Sequence, residues 1–557
     1  MGRYSGSPLP LGVTEQGEYV NFSISVSGVK CCKLLLYRKG AEQVESSWKM
    51  LCNDVADGIC YIALPRRIVK GREYLYEMDG KFVIDPYAKE LCTCTSGMTR
   101  SKVLLDSYDW EGDRPLQIPQ SDVIAYSLHV RGFTKNKSSK VRGKGTFKGI
   151  VEKIPYLLEL GVNQIQCMPI YAFNVAENYT NYWGYGEGFY FAPQPKYAIM
   201  KSAAREWKDT IKACHRAGIE VVLNLPFSES FTPQMIVDCL RHYVLEYHID
   251  GFLLDPMRVS IEGAKADPIL MHCKIWEQKQ DYCMDVRRFL RGDNYTIEGM
   301  MFWQKANTAQ IGSCNYVASH NGFTLADAFS YNEKHNEDNG ENNQDGPDYN
   351  CSYNCGKEGI TRKKSVLELR RQMMKNAFFI LLTAQGVPCI LAGDEFANSQ
   401  AGNNNVYCQD NETAWLDWRQ CSKETWLVSY VKRLIAIRKK CPILHSAAPL
   451  LGRDYVGCGV PDVSFHSELA WQIPSGMSCK SMGIYYHDDK QEISECFVAY
   501  NADEEARIIA LPALSRGRKW HLVISTQDQD GEIGEWPLEN QRSITLAARE
   551  MALYIGK

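Results

Sequence analysis

Two cysteine pairs carry a spacing that suggests metal chemistry: Cys92 with Cys94, and Cys351 with Cys355. A structural zinc site needs four ligands, usually two such pairs. Neither pair has that second half, so no metal is expected at either. The 21 cysteines are scattered through apolar segments, and the adjacent Cys31 and Cys32 do not suit a disulfide framework. The opening run MGRYSGSPLPLG lacks the apolar core of a secretory signal. Reduced thiols in a cytoplasm are therefore the expectation. A different kind of candidate is Asp255, the last residue of the apolar run DGFLLD. A third is the stretch 332–359, rich in Asn, Asp and Gly, with no helical or strand period. It reads equally as a mobile loop or as a lid over a site.

The elements that must position these residues follow from hydrophobic period. EYVNFSISV at 18–26 alternates apolar and polar residues, the pattern of a half-buried strand. Short runs of the same kind follow at Cys32–Tyr37, Gly58–Leu64, Glu73–Met78 and Phe82–Ile84. They predict a β-sandwich over residues 8–104. From Val123 the pattern changes. VIAYSLHV reads as a buried strand, FKGIVEKIPYLLELGV as a helix closed by Gly161, and NQIQCMPI as the next strand. The helices Ala203–Ala217 and Met235–His248 alternate with IEVVLNL and DGFLLD, and Ala377–Ala384 precedes VPCILAG. Repeated βα units predict an α/β fold, a (β/α)8 TIM barrel over 120–447. Short strands such as ISECFVAYN and WHLVIS then predict a C-terminal β-sandwich over 448–557.

Composition is globular, with 45% hydrophobic and 23% charged residues in a chain of 557. That length exceeds what one core usually supports. The formal net charge of -3 favours neither nucleic acid nor an anionic membrane as partner. No apolar run is long enough to span a bilayer.

Several of these segments resemble isoamylase and the bacterial glycogen debranching enzyme, of glycoside hydrolase family 13 in the α-amylase superfamily. The resemblance covers nearly the whole chain. It rests on SPLPLGVTEQGEYVNFSISV and IDPYAK in the first module, and on YSLHVRGFT and GTFKGIVEKIPYLLELGV at the barrel's start. NYWGYGEGFYFAPQPKYA, SHNGFTLADAFSYNEKHNEDNGENNQDG and GVPCILAGDEF carry it further. The family chemistry is retaining hydrolysis, in which one Asp attacks the anomeric carbon and one Glu protonates the leaving oxygen. A second Asp holds the distorted sugar, and an Arg beside the nucleophile keeps it ionised.

The resemblance implies that much of this apparatus is missing. Where the family pattern resembles DVVYNH, this chain has NLPFSE, with Asn224, Ser228 and Glu229 at the Asp, Asn and His positions. Where it resembles GFRFDLA, this chain has GFLLDPM. Asp255 keeps the nucleophile position, Leu253 replaces the Arg, and Pro256 follows directly. Arg258 is a poor substitute for that Arg because it would approach from another direction. The acid Glu of a pattern like AEPWD falls in a stretch of roughly twenty residues that reads as deleted after ADPILMHCKIW. Glu277 and Glu298 read as solvated carboxylates rather than replacements. His320 is retained, and Asn321 replaces the transition-state Asp. An amide still hydrogen-bonds a sugar but does not stabilise an oxocarbenium ion by charge.

The resemblance thus implies a non-catalytic or barely active debranching-like protein of α-glucan metabolism. Its implied ligand is an α-glucan or maltooligosaccharide, with an active debranching homologue as a further partner. Tyr182, Trp183, Tyr185, His320 and Asn321 are its substrate-binding candidates, with core packing an equal reading of the aromatics. No cofactor is expected. The alternative is an active hydrolase of α-1,6 branch linkages with an unrecognised acid. Another carbohydrate reaction built on Asp255 is a third reading.

Overall fold

The computed structural model describes residues 6–26, 28–52, 58–105, 107–173, 180–455, 457–514, 517–528 and 536–557. Residues 1–5 of the opening run read above for a leader lie outside this set.

The first module is two antiparallel sheets around an apolar core that includes Val20, Phe22, Leu34, Leu36, Ile62, Tyr74 and Tyr76. One sheet runs Gly12–Gln16, Tyr19–Ser25, Ile59–Pro65, Leu51–Cys52. The other runs Val44–Lys49, Cys32–Tyr37, Glu73–Met78, Thr99–Lys102, Leu91–Thr93. The alternating strand at Tyr19 is more deeply buried than its period predicts: Asn21 and Ser23 are fully covered. The chain before it folds over their face. Asn21 exchanges two hydrogen bonds with the Ser7 backbone, and the Ser23 hydroxyl donates to the Pro8 carbonyl at 2.6 Å. The polar residues are satisfied by backbone instead of water.

Six parallel strands form the curled central sheet: β1 (Ala125–Leu128), β2 (Gln164–Cys167), β3 (Glu220–Asn224), β4 (Gly251–Leu254), β5 (Lys274–Glu277) and β6 (Cys389–Leu391). Their order is β5-β4-β3-β2-β1-β6. The ring is of the (β/α)8 type, and the irregular segment 312–318 completes it. Glu277 N donates to Gly312 O at 2.8 Å, and Asn315 makes a parallel bridge to Pro388 beside β6. Alternation divides the strands. Val123, Ala125, Val222, Leu253 and Trp276 pack inside the ring, while Phe252, Leu254 and Ile275 pack outward against the helices.

Those helices end where the sequence says they should. Phe147–Leu160 stops at Gly161, whose φ of 97° is left-handed, a conformation that favours glycine. Pro233–Tyr247 starts on Thr232, whose hydroxyl accepts from Met235 N. Among the described residues no helix is long and apolar enough to cross a membrane.

The C-terminal module is a six-stranded antiparallel sheet with a two-stranded companion. Its inner residues Met482, Ile484, Val498 and Leu553 belong to the same apolar core as the barrel. Tyr500 Oη ties the two together through Thr383 Oγ1 and Gln304 Oε1, each at 2.8 Å.

The stretch 332–359 is a loop held by side-chain hydrogen bonds. Its asparagines stand in for backbone partners. Asn336, with no exposed surface, donates to Asp345 O and Asn404 Oδ1 and accepts from Asn404 N. Asn339 donates to Asp345 Oδ2 at 2.7 Å, and Asn404 donates to Asn350 Oδ1 at 3.0 Å.

Candidate active site

Asp255 stands at the carboxyl end of β4, the first residue beyond the strand. Pro256 cannot donate a backbone hydrogen bond, and the chain turns there. The turn uses the carboxylate: Met257 N donates to Asp255 Oδ1 at 2.8 Å. The Asp255 carbonyl accepts from Arg258 N and Val259 N. Among the described residues no cation lies within ion-pairing distance of this carboxylate. Leu253, two residues back on the same face, packs on the barrel interior instead. Arg258 turns away, and its Nη2 donates to the Ser228 carbonyl at 2.7 Å.

The neighbouring stave is β5. Leu254 pairs with Glu277 in the β4–β5 ladder, and Gln278 N continues it by donating to Leu254 O at 3.1 Å. Ile275 packs outward and Trp276 inward; Glu277 closes the strand with its carboxylate against Gly312, and Gln278 is exposed. Glu277 pairs with Lys279 at 2.8 Å. Glu277, read from sequence as a solvated carboxylate, therefore stands at the end of a barrel strand, one stave from Asp255. What is short is the connection after it: only Gln278–Gln280 separate β5 from the helix Asp281–Arg291. Glu298 is exposed on the first turn of the helix Ile297–Lys305.

On the other side of β4, Asn224 closes β3 and donates from Nδ2 to the Tyr185 hydroxyl at 3.2 Å. That hydroxyl lies 2.6 Å from His320 Nε2. Burial pushes His320 down to about 4, so its imidazole is neutral at pH 7 and shares a hydrogen bond with the Tyr185 hydroxyl. The result is a chain, Asn224 to Tyr185 to His320. Asn321 is exposed beside it. Ser228 N donates to Tyr190 Oη at 2.9 Å, and Glu229 is exposed.

The three aromatics separate. Tyr182 and Trp183 are only 4% and 6% exposed and pack with Met168, Val406 and Ala414. Tyr185 is half-buried and is the one whose hydroxyl joins the strand-end residues. Trp183 meets His320 edge-on at 5.1 Å. His129, at the end of β1, was not singled out from sequence. It accepts from Gly132 N at Nδ1, lies over the Tyr182 ring at 4.1 Å, and has Nε2 2.8 Å from the Tyr182 carbonyl. Burial holds it down to about 4.

The strand ends therefore offer the carboxylates of Asp255 and Glu277, the amides of Asn224 and Asn321, a neutral imidazole and a phenol. Such groups bind hydroxyls well.

Comparison with known proteins fits this geometry into a wider pattern. The description "Alpha amylase, catalytic domain" matches residues 131–230. The chain is 28% identical to a Glycogen operon protein GlgX homolog of Mycobacterium tuberculosis (strain ATCC 25618 / H37Rv), over 95% of this chain and 94% of that one. It is 27% identical to Isoamylase 1, chloroplastic, of Oryza sativa subsp. japonica, over 94% of this chain and 82% of the relative. That alignment is 673 residues long against 557 in this chain, so the rice protein carries more than a hundred residues that this chain lacks. A pullulanase from Paenibacillus barengoltzii superposes with a TM-score of 0.75 at 20% identity, over 99% of this chain and 94% of the other.

Proposed function

We propose that this chain is a debranching-type member of glycoside hydrolase family 13, in the α-amylase superfamily, and that it binds α-glucan chains with little or no hydrolysis. What supports the reading is the Asp255 carboxylate, which has no cation partner among the described residues, with Leu253 on the same face two residues back. Asn321 removes a second charge. The binding half of the reading rests on the barrel-end hydroxyl-binding groups and on relatives whose names are those of glucan-active enzymes. One solved pullulanase with this fold is a complex with maltohexaose and alpha-cyclodextrin. A glucan-holding chain of this kind acts beside an active debranching homologue, changing which branches that enzyme meets.

Electrophoresis of the protein through gels containing glycogen tests binding. Retardation that weakens in Tyr185→Ala supports the reading, and mobility equal to that in a glucan-free gel sinks it. A second reading is a working hydrolase of α-1,6 branches, favoured by whole-chain similarity to proteins named isoamylase. Release of reducing ends from glycogen, abolished by Asp255→Ala, would establish it.

A further inference from the structure

The C-terminal module holds a cluster that glucan binding does not use. Cys458 is an exposed thiol in the loop Gly457-Cys458-Gly459, just before the strand Val463–His466. His487 is the last residue of the strand Ser481–His487 and is 8% exposed. Asp489 follows two residues later. One ligand atom from each of the three lies within 4.8 Å of the others. Cys458 Sγ is 3.8 Å from His487 Nδ1, and Asp489 Oδ1 is 3.3 Å from His487 Nε2.

The loop is built to hold the thiol in place. Asp454 Oδ1 accepts from the backbone N–H groups of Gly457 and Cys458, and Asp454 Oδ2 accepts from Gly459 N. Those hydrogen bonds hold the Asp454 carboxyl below its ordinary range. Both flanking glycines are left-handed, with φ of 70° and 92°, a backbone that favours glycine. A second carboxylate oxygen, Asp454 Oδ1, lies 3.6 Å from Cys458 Sγ. The surroundings of the sulfur are therefore anionic and favour a cation.

We propose that Cys458, His487 and Asp489 form a surface site for a zinc-type divalent cation, which pins the 457–459 loop to the end of the His487 strand. The ligand set of one thiolate, one imidazole and one carboxylate matches the borderline softness of zinc better than that of calcium or magnesium, which take oxygen ligands. Tetrahedral bonds of about 2.3 Å to sulfur and about 2.0 Å to nitrogen put those two atoms about 3.5 Å apart. Cys458 Sγ meets Nδ1 at 3.8 Å while Asp489 Oδ1 meets Nε2; one ion takes a single ring nitrogen, so Asp489 turns toward the Cys458 side as it binds, across a separation of at most 4.8 Å. Three protein ligands leave the fourth position to water. Binding displaces the thiol proton, which goes to solvent, so affinity rises with pH.

The test uses the full-length protein after chelator treatment and desalting, with zinc alone as the probe. Zinc titration by calorimetry is compared between wild type, Cys458→Ser and Asp489→Asn. The expected result is one more equivalent bound by wild type than by Cys458→Ser, and at least tenfold weaker binding at that equivalent in Asp489→Asn. Cobalt should give a thiolate charge-transfer band in wild type that Cys458→Ser lacks. A second measurement needs no variant: iodoacetamide labelling of Cys458, read by peptide mass spectrometry, should slow at least tenfold with zinc present. Equal labelling with and without zinc, or identical titrations of wild type and Cys458→Ser, overturns the proposal.

Discussion

At the residue scale the account turns on two uncharged positions around one carboxylate. Asn321→Asp restores a charge, and Leu253→Arg restores a cation for the nucleophile. Residues that act as a unit do not contribute additively. Each single variant is therefore expected to release no reducing ends from glycogen above a buffer control. The double variant is the smallest change expected to give measurable release. Turnover by Asn321→Asp alone would contradict this. Tyr185→Phe removes the hydroxyl that joins Asn224 to His320. It should lower stability by about 1–3 kcal/mol, the cost of a buried partner left unsatisfied, read as a lower denaturation midpoint at unchanged slope. Asp255, Leu253, His320 and Asn321 were legible from sequence because the motifs around them survive. The strand-end place of Glu277 was not, because motif spacing put it beyond the barrel strand, while the structure ends β5 on it.

At the element scale, sequence period gave the strands and helices of the barrel well, since one face of each must be buried. It did not give the order within 332–359, because asparagine amides leave no period. Asn336→Ala removes side-chain bonds to Asp345 and Asn404. Limited proteolysis should then cut within 332–359 at protease levels that leave the wild type intact. A second element-scale prediction concerns the link between the first module and the barrel. His215 lies between Asp113 and Asp250, at 3.0 and 2.9 Å, and His248 approaches the same Asp113 oxygen at 3.1 Å. Burial works against a charge on His215, but its bonds to Asp250 and Asp113 outweigh burial and raise it above 6.5. A raised histidine stabilises the fold fully below its unfolded value and loses that contribution as pH rises through the folded one. The melting-temperature advantage of wild type over Asp113→Asn should therefore be largest at acidic pH, near and below 6.5, and shrink on the alkaline side. An advantage that grows with pH would contradict it.

At the scale of the whole molecule, three modules are held in register around a barrel whose connections are short. The barrel and the C-terminal sheet share one core. The three-part architecture was legible because each module has its own hydrophobic period. How the ring closes was not, since the segment 312–318 completes it through a bridge and single hydrogen bonds rather than a regular strand. The central claim is binding without cleavage. It is tested most directly by incubating the purified wild-type protein with excess glycogen and counting new reducing ends over time, in a sample shown to retain glycogen binding. The account predicts a time course indistinguishable from buffer. Steady release of reducing ends that disappears in Asp255→Ala would contradict it.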